Sequence, residues 1–436
     1  MKRFANVLLC ASALSMLGTA AMAEKLTIAM VNNGDMIRMQ KLSDDFTAKN
    51  PDIELEWVTL EENILRQRVT TDIATKGGQY DVMTIGTYEV PIWGKQGWLV
   101  SLNDLPASYD IDDLLPAIRG GLTVDSELYA APFYGESSMV MYRTDLMEKA
   151  GMEMPDAPTW TFIREAAAAM TDKDAGIYGI CLRGKAGWGE NMAFLTATAN
   201  SFGAKWFDMD WKAQFDSPEW KEALTFYIEM MNESGPPGAA NNGFNENLSL
   251  FQTGKCGMWI DATVAASFVT NPTDSQVADK VGFALAPDNG LGKRGNWLWA
   301  WSLGIPAGTQ KAESAKKFVE WATSKEYLAL VAEKEGWANV PPGTRTSLYE
   351  NPEYAKVPFA KMTLDSINAA DPQNPTVDEV PYVGVQFVAI PEFQGIATAV
   401  GQQFSAALAG TTSIDDALAN AQALTTREMQ KAGYPK

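Results

Sequence analysis

Between Lys25 and Gly86 the hydrophobic period alternates between that of a strand and that of a helix, and this limits the fold more than any other feature. Lys25–Val31 reads as a short strand. Met39, Leu42 and Phe46 then recur at helical spacing until Pro51, and Ile53, Leu55 and Trp57 alternate as a second strand. Leu65, Val69 and Ile73 stand four apart on another helix that ends at Gly77-Gly78, and Tyr80–Gly86 is a third apolar strand. Strand, helix, strand, helix, strand predicts a parallel sheet with helices on its faces. In such sheets ligands sit beyond the carboxyl ends of the strands. Those ends are polar here: Asn32, Asn33 and Asp35; Glu61, Glu62 and Asn63; Thr87, Tyr88 and Glu89.

A second α/β set begins near Tyr134, with a strand over Met139–Tyr142. Thr159 follows Pro158 as a helix N-cap, with Phe162, Ala166 and Met170 on one face, and Ile177–Leu182 is another strand. Ser217, Pro218 and Glu219 supply a cap, a first-turn proline and an acid, in the order a helix start prefers. That helix shows Trp220, Leu224, Tyr227, Ile228 and Met231 on one face and stops at Gly235-Pro236-Pro237-Gly238. Cys256–Ile260 and Leu298–Ile305 read as strands. The helix over Lys311–Ser324 turns Ala315, Phe318 and Ala322 inward. A later one shows Ile396, Val400, Phe404 and Leu408, and the last starts at Ser413 with Asp415 and Asp416 where acids complement the helix dipole. Two α/β units with helical material behind both predict two lobes joined by more than one crossing, a reasonable division of 436 residues at roughly 100–200 per domain.

Charge and composition remove several function classes. The chain carries 54 acidic against 35 basic residues, a formal net charge of −19, which repels phosphate backbones and excludes a nucleic-acid partner. It has no histidine. Ser-His-Asp and Cys-His catalysis, His-ligated zinc and a histidine pH switch are therefore excluded. Any ligand affinity is expected to be nearly flat between about pH 6 and 8, where no unperturbed side chain titrates. There is no phosphate-binding loop, nucleophile elbow, dinucleotide fingerprint or calcium-loop spacing, so no cofactor and no metal is expected.

Met1-Lys2-Arg3, an apolar run strongest over Val7–Leu17, and Ala21-Met22-Ala23 form a secretory leader with cleavage expected after Ala23. The run is too short to span roughly 30 Å of hydrocarbon. The exported chain keeps Cys181 and Cys256. An oxidising compartment permits them to pair, and two separate buried thiols are equally compatible with their apolar surroundings.

Fourteen tryptophans mark the chain. Trp297, Trp299 and Trp301 alternate and so share one face of a strand, although a slip of one residue would reverse which face that is. Trp93, Trp98, Trp188, Trp206, Trp211 and Trp337 fall in or near expected loops. They are satellite-core residues or platforms for the C–H side of a sugar or sugar alcohol. Glu62, Glu89, Glu136 and Asp261 follow or flank apolar strands. Such carboxylates are solvated caps, acceptors for the hydroxyls of an uncharged ligand, or the acid pair of a secreted glycosidase.

Several stretches, in order along the chain, resemble the extracellular solute-binding proteins of bacterial ABC importers, in the branch that includes maltose-binding protein. They are Lys25–Ile28 after the leader, Tyr80-Asp81-Val82 entering a strand, Gly97–Val100 with Leu102, Pro158-Thr159-Trp160, and Gly254–Met258. Within that family Tyr178–Gly184, Trp188–Met192, Phe244–Leu248, Trp259–Thr263 and Asn339–Arg345 are similar to sorbitol/mannitol-binding proteins.

The resemblance implies an α/β, two-lobe periplasmic-binding-protein fold of type II, each lobe a mostly parallel sheet flanked by helices, hinge-linked around a ligand cleft. Expected boundaries are 24–134 plus 298–350 for one lobe and 135–297 plus 351–436 for the other. It also implies a monomer without enzymatic activity, residing in the periplasm, that delivers a polyol or sugar to an inner-membrane permease and its ATPase subunits. Carried over residue by residue, the ligand-binding set is Asn33, Glu62, Tyr88, Glu89, Glu136, Trp188, Asp261, Trp297 and Arg345. A cyclic mono- or disaccharide is the alternative ligand.

Overall fold

A computed structural model of the chain describes residues 23–435. The expected leader, apart from Ala23, lies outside them. The first sheet has the order β2-β1-β3-β10-β6, built from β1 (Glu24–Val31), β2 (Ile53–Leu60), β3 (Val82–Ile85), β6 (Ala130–Glu136) and β10 (Trp299–Gly304). β4 (Thr123–Val124) and β5 (Glu127–Leu128) form a separate small hairpin. The second sheet has the order β8-β7-β9, from β7 (Ser138–Arg143), β8 (Met258–Ala262) and β9 (Val281–Leu285).

The strand–helix reading of the amino-terminal part matches the first sheet. β1 pairs parallel with β2 and with β3, and β3 is buried along its whole length, as a strand covered on both faces must be. β10 runs antiparallel between β3 and β6. Its first residues therefore lie beside the carboxyl ends of its neighbours, where Trp299 stands opposite Glu136 and Trp301 opposite Tyr134. The second sheet differs from the expected parallel pattern, because β7 pairs antiparallel with both β8 and β9. Parallel pairing there is limited to bridges from Tyr178 to Cys256 and from Cys181 to Trp259. The expected Ile177–Leu182 strand is thus an extended segment laid along β8. Gly179 makes this possible, since a Cβ there would collide with the Ala167 carbonyl of the helix Trp160–Met170.

The chain passes between the sheets at Ser137, slightly beyond the junction expected after Tyr134, again between β9 and β10, and again after the helix Lys325–Glu335. Helix Ala312–Thr323 packs on β1 and β6, helix Ala360–Ala369 on β7 and β9, and helix Phe393–Leu408 on helices Asn191–Ser201 and Pro218–Ser234. The expected caps form: Thr159, Ser217 and Ser413 each accept a backbone N–H three residues on. Phe162, read as inward, is half-buried, and Ile163 takes the core position. Cys181 and Cys256 are joined by a disulfide. Among the described residues no helix is long and apolar enough to cross a membrane.

Candidate functional site

A cavity of about 220 Å³ lies between the two sheets. Its first wall comes from the carboxyl ends of the first sheet. Asn33 ends the turn after β1 and caps the helix Gly34–Leu42, its Oδ1 accepting from Met36 N at 3.0 Å while its Nδ2 donates to the Tyr134 hydroxyl at 2.9 Å. Glu61 caps the helix Glu62–Thr75. Glu62 lies in that helix's first turn and Arg66 one turn later, where i,i+4 partners meet. Arg66 donates to Glu62 Oε1 from Nε at 2.9 Å and Nη2 at 2.8 Å, and from Nη1 to Glu89 Oε1 at 2.8 Å. Its guanidinium carbon lies 4.0, 4.8 and 4.6 Å from the ring centroids of Trp188, Trp299 and Trp301, within cation–π range of all three.

The opposite wall centres on Arg183. Its Nε and Nη2 donate to the two oxygens of Asp261 at 2.9 and 2.6 Å, and its Nη1 to the Gly189 carbonyl at 2.8 Å. Glu190 stands 3.4 Å from the same Nη1 and also accepts from Phe244 N. Lys185 crosses the mouth, 2.7 Å from Glu61 of the first lobe and 3.6 Å from Glu190. Gly189 sits where a Cβ would overlap Glu62 Oε1, so the loop and the Glu62–Arg66 pair meet only because that residue is glycine.

Burial sets the protonation of this site. The carboxyl of Glu136, a residue 6% exposed, makes no hydrogen bond or ion pair among the described residues. Burial raises its pKa well above the ordinary value; Arg183 opposes this, while Asp261, Glu62 and Asp35 add to it. Glu190 is pushed up to about 7 by burial and by Glu62 and Asp261, against Arg183 and Lys185. Burial works against charge on Arg183, but Asp261 more than offsets it, so the guanidinium stays charged. Glu190 is thus a perturbed carboxyl that the expectation of flat affinity between about pH 6 and 8, drawn from unperturbed side chains, does not count.

Five of the nine residues singled out in the sequence line the cavity: Asn33, Glu62, Glu136, Trp188 and Trp297. The other four do not. Glu89 stands behind Arg66, its second oxygen accepting from Gly86 N at 2.9 Å. Asp261 is fully buried behind Arg183. The Tyr88 hydroxyl donates to the Ile390 carbonyl at 3.0 Å, and its ring packs on Trp188, Phe387 and Phe393. Arg345 is fully buried in the first lobe, donating to the carbonyls of Asp110 and Thr323 at 3.1 Å. Trp299 and Trp301 line the cavity together with Trp297, as their shared parity allowed. The lining also holds Arg66, Arg183, Lys185 and Glu190, which the sequence argument does not reach. The i,i+4 spacing from Glu62 could have found Arg66, and Arg183 and Glu190 lie inside the Tyr178–Gly184 and Trp188–Met192 stretches.

A family model described as bacterial extracellular solute-binding protein matches residues 33–329. A mannitol-binding protein of Pseudomonas aeruginosa is 56% identical over 98% of this chain and 98% of its own length. A solute-binding protein of an ABC transporter from Agrobacterium vitis, solved with bound D-mannitol, is 74% identical, covers 95% of this chain and 100% of its own, and superposes with a TM-score of 0.94. A solute-binding protein from Agrobacterium radiobacter in complex with ribitol shares the fold at a TM-score of 0.82 and 24% identity, over 93% of this chain and 99% of its own.

Proposed function

The chain belongs to the bacterial extracellular solute-binding proteins, and on that premise we propose that it captures a sugar alcohol, mannitol first and sorbitol with it, for uptake by an ABC importer. The observation that carries this reading is the mannitol-bound relative at 74% identity over nearly the whole chain. The cavity agrees with it in size. At about 220 Å³ it is below the roughly 300–1,000 Å³ of a drug-sized site and suits a single small polyol.

In this reading Asn33, Glu62, Glu136, Trp188 and Trp297 hold the ligand, joined by Arg66, Arg183 and Glu190. Indole faces cover the carbon chain, while carboxyl and guanidinium groups bond the hydroxyls. Each hydroxyl left without a partner would cost about 1–3 kcal/mol, so a site this dense in polar atoms selects for a fully hydroxylated chain. Tyr88, Glu89 and Asp261 act behind the lining: Asp261 and Glu89 fix the two arginines, and Tyr88 joins the lobes. Arg345 has only a structural role. The lobes comprise 24–136 with 298–350, and 138–297 with 351–435, and they close on the ligand as a hinge does. The protein works in the periplasm as a monomer after cleavage behind Ala23, hands its ligand to a membrane permease with ATPase subunits, and catalyses no reaction.

The test is a calorimetric and thermal-shift screen of the mature chain. Mannitol and sorbitol should bind one-to-one, and ligand at a hundred times Kd should add about 2.7 kcal/mol of stability. A response to glucose or maltose without one to any alditol would replace this reading with a cyclic-sugar binder. Release of product from an aryl glycoside, lost in Glu136→Gln, would replace it with a glycosidase.

A further inference from the structure

The cavity walls hold more carboxyl groups than their cations can pair. Glu61, Glu62, Glu136, Glu190 and Glu246 share the lining with Arg66, Arg183 and Lys185. Each of those cations is already divided between two acids. Arg66 serves Glu62 and Glu89, Arg183 serves Asp261 and Glu190, and Lys185 serves Glu61 and Glu190. Glu246 is exposed and accepts from Gly243 N, which leaves Glu136 as the buried acid without a cation. It closes β6 opposite Trp299, is more than nine-tenths buried, lines the cavity, and has no polar partner among the described residues. Nor are these acids gathered as a metal site: among the described residues no group of three or more His, Cys, Asp or Glu side chains could hold an ion.

We propose that the same cavity accepts a protonated amino alditol, an open-chain polyol with a terminal primary ammonium, seated with its ammonium on Glu136 and toward Glu190. This rests on the polyol reading above and extends it to a cationic ligand class. A neutral hexitol meets Glu136 as a carboxylic acid, whose O–H donates to a hydroxyl while the other oxygen accepts. Burial holds it in that form, aided by the carboxylates of Asp261, Glu62 and Asp35 and opposed by Arg183. Tyr134 on the same strand is itself held neutral by burial and by Glu136, Asp35 and Glu62.

An ammonium placed there supplies the countercharge that Arg183, committed to both oxygens of Asp261, does not. The carboxylic acid then gives its proton to solvent and becomes a carboxylate paired with the ammonium, so one proton leaves for each amine bound. Glu190, which faces Arg183, Lys185, Glu62 and Asp261, adds a second acceptor that is already half ionised near neutral pH. Such charge-assisted bonds are about twice as strong as neutral ones.

The test is calorimetry of the full mature chain with 1-amino-1-deoxysorbitol and with mannitol, from pH 5.5 to 8.5, in buffers of different ionisation enthalpy. The amine should bind with an association constant that rises toward tenfold per pH unit wherever a full proton is released. The buffer dependence should show up to one proton released, whereas mannitol affinity should change only a few-fold. In Glu136→Gln the proton release and the pH dependence for the amine should fall sharply, to no more than the fraction of a proton that Glu190 holds near neutral pH. Mannitol binding beside an amine that fails to bind, or that binds without releasing a proton, overturns this inference and leaves the polyol reading intact. Failure of both ligands overturns the polyol reading itself.

Discussion

Two buried arginines flank the cavity, and they are built in different ways. Everything that holds Arg183 lies in the second lobe: Asp261 on β8, the Gly189 carbonyl and Glu190 in the following loop. Arg66 takes its acids, Glu62 and Glu89, from the first lobe, but one ring of its aromatic cage, Trp188, comes from the second-lobe loop, beside Trp299 and Trp301 of β10. One half of the site is therefore complete within a single lobe. The other is finished only when the lobes meet. A binding protein benefits from the division, because a preformed half lowers the ordering cost of capture and an assembled half links ligand to closure.

The sharpest attack on that contrast is Arg183→Ala. It leaves Asp261, which is fully buried, with only the Trp259 indole N–H and the Ala262 amide as donors. Removing one partner of a buried pair costs roughly 3–5 kcal/mol, so ligand-free stability and polyol binding should both fall steeply in denaturation and calorimetry. Arg66→Ala should cost less stability in the ligand-free state, because Glu62 is partly open to water and Trp188 covers the Arg66–Glu89 pair only when the lobes meet, yet should remove most of the binding. Equal destabilisation of the ligand-free protein by both substitutions would erase the distinction.

A pH series probes the acids between the two arginines. Glu190 has its pKa raised from the ordinary carboxyl range to about 7, so between about pH 4.5 and 7 the folded protein binds more protons than the unfolded chain. Stability must then fall as pH rises through that window, and Glu136, raised in the same direction, adds to the slope. The melting temperature of the ligand-free protein should decline from pH 5 to 8, and Glu190→Gln should flatten the decline. A melting temperature that rises across that range would show that both carboxyls are ionised and solvated.

Closure itself is tested by Gly189→Ala. The added Cβ would overlap Glu62 Oε1, which belongs to the other lobe, so only the closed state is penalised. Overpacking of this kind costs about 1–3 kcal/mol. It should appear as a weaker polyol Kd with an unchanged melting temperature in the absence of ligand. An unchanged Kd would mean that the loop yields and that Gly189 has no part in closure.

The unevenness of the two halves also explains what could be read from the sequence. The first lobe was legible because its periods are local: β1, the two helices and β2 each show a pattern over a few residues, and topology then sends their polar ends to the cavity. That argument brought Asn33 and Glu62 to the cleft among the other strand-end residues, and the family resemblance then picked them out. The second lobe rests on pairings between distant segments. β7 lies between β8 and β9, about 120 and 140 residues further along the chain, and no local period distinguishes antiparallel from parallel pairing. Asp261 was placed correctly at a strand end, but its partner Arg183 is 78 residues away, so the acid read as a cleft residue although it lies behind Arg183, outside the cavity lining. Arg345 lies outside the cavity lining, and the sequence could not show it: a lone arginine in a loop gives no sign that Tyr109, Asp110 and Thr323 enclose it. The disulfide was undecidable for the same cause, since its cysteines are 75 residues apart.

The smallest effect belongs to the one ion pair that spans the cavity mouth, Lys185 to Glu61 at 2.7 Å. Both groups are about one-third exposed, so water and salt screen them and the pair contributes only about 0.2–1 kcal/mol. Within the comparison this pair is informative because it joins the preformed half, where Lys185 also stands 3.6 Å from Glu190, to the assembled half. Lys185→Ala should leave the melting temperature of the ligand-free protein unchanged and weaken polyol binding by no more than about fivefold at low salt, the equivalent of about 1 kcal/mol. The gap to wild type should close as ionic strength rises toward 1 M, where the Debye length is about 3 Å. A loss much larger than this, unaffected by salt, would show that Lys185 reaches past Glu61 and bonds the ligand, and would move it from the rim of the cleft into the preformed half of the site.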